Sequence, residues 1–76
     1  MDAPLIQLAA ALRERLAIIA DDESRRDPDR HMQRLGDVSE RIERLERSLP
    51  PQTDPQLRHF LQRRSYSKAL ELIESA

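Results

Sequence analysis

The sequence predicts an all-α protein: an antiparallel hairpin of two long helices, near 4–24 and 28–49, clasped by a short C-terminal helix pair near 55–64 and 66–75. Three observations predict it. One glycine, one valine and two aromatic residues in 76 leave almost nothing from which sheets are built. Three prolines, Pro4, Pro28 and Pro55, follow or nearly follow an aspartate, which is the arrangement of an N-cap with proline in the first helical turn. Apolar residues recur at helical spacing through each intervening stretch.

In the first helix, Leu5, Leu8, Ala9, Leu12, Leu16, Ile19 and Ala20 fall within about 120° of arc, the width of a stripe that faces a core. Ile6, Ala10 and Ala17 widen the apolar surface on one side, and Ala11 and Ile18 on the other. One partner helix does not cover so broad a face. It is either central within the monomer, a seam between copies, or a surface for a different protein. Ile6, Ala10, Ala17 and Ile18 are left over once the core stripe is assigned, and they are the candidate self-association face.

Asp21 to Asp29 is rich in acids and forms the short connection of the hairpin. Its order lacks the alternating ligands and the glycine of a calcium loop, and Asp27 and Asp29 suit an N-cap and a helix dipole instead. No metal is expected there. The second helix carries a narrower stripe, His31, Leu35, Val38, Ile42, Leu45 and Leu49, with alternating steps of four and three. Outside it, Asp37/Arg41, Glu40/Arg44 and Glu43/Arg47 place acid four residues before base, each pair contributing about 0.2–0.5 kcal/mol on an exposed face. Gly36 lies off the stripe. It is a tolerated surface glycine, a point of close backbone approach, or a break with Asp37 and Glu40 forming a capping box.

Pro50-Pro51 ends the hairpin, and 50–54 connects it to the C-terminal pair within a single domain, 1–76. There the apolar residues Leu57, Phe60 and Leu61 point opposite to Tyr66, Ala69, Leu70 and Ile73 if the helix is straight. A break near Arg64-Ser65, with Ser65 capping the second helix, turns both sets to one core. From Leu57 to Lys68 the chain has Arg58, His59, Arg63, Arg64 and Lys68 and no acid. Arg58, Arg63, Arg64 and Tyr66 are the candidate site for a protein partner, where charge orients and the aromatic anchors. The ordinary role for these bases is pairing with the acidic loop or with acids on a protein partner.

The charges exclude more than they indicate. Thirteen basic against 14 acidic residues give a net charge of -1, so no whole-chain field gathers polyanions. With no cysteine, neither a disulfide nor a thiolate zinc site supports the small core, and either idealised helix packing or oligomerisation is expected to do so. His31 and His59 have no second histidine at ligand spacing, Ser65 and Ser67 near Lys68 lack an oxyanion turn, and one glycine makes no phosphate loop. No cofactor or catalytic residue is expected. The apolar runs are too short for a membrane span, and the polar side of the first helix lacks the cationic excess of a membrane-surface helix. The expectation is therefore a cytoplasmic, non-enzymatic protein-interaction module such as an adaptor, chaperone-like protein or regulatory subunit, forming a homodimer through the first helix. The alternative is a nucleic-acid-binding regulator that uses Arg58 to Lys68.

Overall fold

A computed structural model describes residues 3–75. It contains α1 (Ala3–Ala20), α2 (Asp22–Arg25), α3 (Pro28–Arg47), α4 (Pro55–Gln62) and α5 (Tyr66–Glu74), with no strand among the described residues. The long dimension, 41 Å, belongs to the α1–α3 hairpin, since a 20-residue helix alone spans about 30 Å. The all-α bundle predicted from the sequence is the architecture observed.

Local chemistry sets the boundaries. Asp27 and Asp54 each accept a hydrogen bond from an amide of the helix they precede, and Pro28 and Pro55 occupy the first turns. The corresponding cap expected of Asp2 lies outside the described residues. The first helix stops at Ala20 rather than near 24. Asp21 takes an extended conformation, with φ -85° and ψ 100°, and its carboxylate accepts from the amides of Glu23 and Ser24, starting the separate turn α2. Arg25 closes the end of α1 by donating to the Ile19 carbonyl.

The α3 helix ends two residues earlier than expected. The Ser48 amide and hydroxyl both turn back to the Arg44 carbonyl, and Leu49 beyond the helix is still buried. Gly36 does not break the helix, and a Cβ placed there would meet nothing within 4 Å, so within the monomer it is a surface glycine.

The break between α4 and α5 falls where the split apolar face requires it. Arg64 has φ 58°, in the left-handed region. The Arg64 amide donates to the Leu61 carbonyl and the Ser65 amide to the Phe60 carbonyl, at 3.1 and 2.8 Å. Together these form a complete Schellman ending on α4, with arginine where glycine is usual. Ser65 holds the N-cap position of α5, but its side chain makes no capping hydrogen bond, which corrects that expectation.

The core joins residues of every long element: Leu8, Ala9, Ala11, Leu12 and Ile18 of α1, Val38 and Ile42 of α3, and Leu57, Leu61, Tyr66, Ala69, Leu70 and Ile73 of the C-terminal pair. The α1 helix is central, packing against both α3 and α5. Its buried face is rotated from the predicted stripe toward Ala11 and Ile18, while Ala20 is exposed and Leu5, Leu16 and Ile19 are half-buried. The cause is α3, which covers that flank and is tied to it by Arg41–Glu14 at 2.8 Å. The i,i+4 pairs expected along α3 are not the ion pairs that form. Arg41 reaches α1 instead, Glu43 meets Arg64, and Arg47 donates to the Glu43 carbonyl.

Candidate interaction surfaces

The outer face of α1 is the first candidate. Placing α3 and α5 around α1 covers the Leu8–Leu12 side and leaves the opposite side open. Ile6, Ala10 and Ala17 lie on that open side, and Ile6 remains 54% exposed, one of two large apolar residues so placed among those described. Ile18 does not belong with them. It is 3% exposed and part of the core, because one residue along a helix is a turn of 100° and carries Ile18 onto the flank that α3 covers. Two ion pairs border the open stripe: Arg13 with Glu74 of α5 at 3.4 Å, and Glu14 with Arg41 of α3.

The basic segment is the second candidate, and the structure divides it. Arg58 is half-buried and its Nη2 donates to the Leu49 and Pro50 carbonyls at 3.3 and 2.7 Å, so it fastens the connection between the hairpin and α4. Tyr66 is 6% exposed and cannot anchor a partner; its ring is covered by the Arg15 guanidinium, 4.7 Å from the centroid. Arg63, Arg64 and Lys68 are exposed, and so is His59, whose ring tilts against Phe60. Arg64 approaches Glu43 at 3.5 Å with 72% of its side chain still open to solvent. None of these bases pairs with the acidic connection.

That connection is satisfied by its own neighbours, forming a cluster that the sequence reading missed. The Ser24 hydroxyl lies 2.9 Å from His31 Nδ1 and accepts from Arg34 Nη1 at 2.8 Å. Arg34 only donates, so Ser24 Oγ is the acceptor in that contact, and the tautomer of His31 sets which way the proton lies between Ser24 and Nδ1. Asp21 completes the set. The Ser24 amide, and with it Arg34 and the Glu23 amide, holds the Asp21 carboxyl below its ordinary range against a smaller opposing effect of partial burial. Arg34 stands ten residues from Ser24 in the chain, so no local spacing marks the cluster; only the hairpin brings it together.

Arg15 was missed for a related reason. It falls seven residues after Leu8, on the same line of the helix, and so enters the buried side despite its charge. Its Nε is buried without a hydrogen-bond partner, and the contact it makes is with the Tyr66 face.

Among the described residues, no group of three or more His, Cys, Asp or Glu side chains is arranged to hold a metal ion, and no helix is long and apolar enough to cross a membrane. Comparison with known protein families, curated proteins and solved structures returns no match.

Proposed function

We propose that this chain is a small, non-enzymatic protein-interaction module, of the kind that serves as an adaptor, chaperone-like protein or regulatory subunit, and that it pairs with a second copy of itself along the outer face of α1. The observation that carries the proposal is Ile6, 54% exposed with two neighbouring elements already packed on its helix. Ala10 and Ala17 continue its line at steps of four and seven residues, the spacing of a two-helix seam, and their small side chains let a second backbone come close. This apolar line is open without disturbing the core, which supports pairing there. The non-enzymatic part of the reading is supported by an interior filled with aliphatic side chains and one tyrosine, which leaves little room for polar groups to converge away from water.

The test uses two adjacent residues. Ala17→Glu places a charge on the open face and is expected to lower the mass in solution while leaving the helical circular-dichroism signal intact. Ile18→Glu buries the same charge and is expected to unfold the chain. If Ala17→Glu leaves an oligomer whole, the proposed face is wrong.

A further inference from the structure

The corner between α4 and α5 carries a second surface, independent of the outer face of α1, and we infer that it binds the phosphate backbone of nucleic acid. Arg58 is held by two carbonyl oxygens and Tyr66 is internal, so neither serves as the charge or the anchor of a protein site; the aromatic edge left at the corner is half-buried Phe60 with the exposed His59 ring against it. The exposed large apolar residues among those described, Ile6 and Met32, belong to α1 and α3. A protein-binding hot spot is built on a large aromatic or aliphatic group with charge at its rim, and here Phe60 is drawn half into the core while the cations stand clear of it.

What remains is concentrated. Arg63, Arg64 and Lys68 are exposed within six residues around one turn, and no carboxylate occurs from Leu57 to Lys68. Among the described ion pairs, Arg63 and Lys68 do not appear, and Arg64 makes one long, solvent-open contact with Glu43. Cations without an apolar contact suit a ligand whose affinity comes from counterion release, and a phosphodiester chain is that ligand. The exposed Ser67 hydroxyl lies between them in sequence and adds a donor of the type that positions phosphates. Glu71 and Glu74, exposed further along α5, and Glu43 and Glu46 of α3, which line the surface beside Arg64, repel phosphate and confine the contact to the side of the corner that carries Arg63 and Lys68. Glu71 and Glu74 also keep α5 from lying along a groove, so the contact is with the backbone rather than with base edges.

The salt dependence of binding tests this directly. Three phosphate contacts on duplex DNA give a slope of log K against log[salt] of about -2.7, or roughly a 40-fold loss of affinity between about 50 and 200 mM salt. Anisotropy of a labelled duplex of about 20 base pairs reads the slope for the full chain and for Arg63→Gln, Lys68→Gln and the double variant. Each single substitution is expected to reduce the slope by about 0.9, the double variant to leave about -0.9, and Arg63→Lys to restore it. Both positions are exposed, so an unchanged circular-dichroism signal accompanies each variant. Absence of binding at about 20 mM salt, or a slope that the substitutions leave unchanged, would overturn the inference. So would a poly-glutamate chain that competes as well as unlabelled duplex, because the surface would then be one for acidic protein. Binding by the Ala17→Glu variant separates this inference from the pairing of α1, which it does not require.

Discussion

Replacing Gly36 with alanine separates the readings of that residue and has a magnitude that follows from the structure. Gly36 is exposed within the continuous helix α3, and a Cβ there would meet no atom within 4 Å. No packing is gained or lost, so only the backbone term changes. Alanine is favoured over glycine in a helix interior by about 0.8–1.0 kcal/mol, much of it through a less disordered unfolded chain. For a chain of this length total stability is about 4–11 kcal/mol, so the gain is readily measured. It corresponds to a rise of about 4–7 °C in the midpoint of thermal unfolding. Far-ultraviolet circular dichroism in a urea series and a thermal ramp is the assay, and the urea slope should not change. A variant that is less stable, or unchanged, would refute the reasoning: a helix broken at Asp37 gains nothing from alanine, and a backbone packed against Gly36 is pushed away by it.

Two further substitutions test other local features. Arg64→Gly is expected to stabilise by about 0.5–1 kcal/mol, because the left-handed conformation costs an L-residue about 1–2 kcal/mol and the greater freedom of unfolded glycine offsets part of that; the solvent-open contact with Glu43 adds little to the balance. A loss of stability in urea unfolding would show that the Arg64 side chain matters more than its backbone. Asp21→Asn tests the acid limb of the pH profile. The folded carboxyl is held below its ordinary value of 3.8, so its contribution is present above that pH and fades as pH falls through the lower folded value. The variant is expected to be less stable near neutral pH and to lose less on acidification, and a parallel pair of pH profiles would contradict the assignment.

The parts of the fold that were legible in the sequence are those fixed by neighbours in the chain. Asp27-Pro28 and Asp54-Pro55 state where α3 and α4 begin, because the cap and the fixed proline φ act within one turn. The division between α4 and α5 was legible in the apolar pattern, since Leu57 and Leu61 cannot share a core with Tyr66 and Ile73 along one straight helix. Its mechanism was not, because an arginine in the left-handed region follows from no propensity. The end of α1 was missed because Asp21 is compatible with a helix until its carboxylate captures two amides.

The candidate surfaces were legible to the extent that exposure follows from one helix alone. Within α1 the two flanks of the stripe read alike, with Ile6, Ala10 and Ala17 on one and Ile18 on the other, and the packing of α3 on the Ile18 side decides which of them stays open. Arg58 and Tyr66 read as a charge and an anchor from their types. Long-range geometry assigns them otherwise, the one bonded to carbonyls eight and nine residues away and the other beneath Arg15. The Ser24–His31–Arg34 cluster depends in the same way on the hairpin being closed.

The absolute molar mass in solution decides whether two copies pair through α1. Light scattering over a concentration series, at low and moderate salt, is expected to give a mass near twice 8.9 kDa that is insensitive to salt, because the face formed by Ile6, Ala10 and Ala17 is apolar. A folded chain with a mass of 8.9 kDa at every concentration would contradict that pairing.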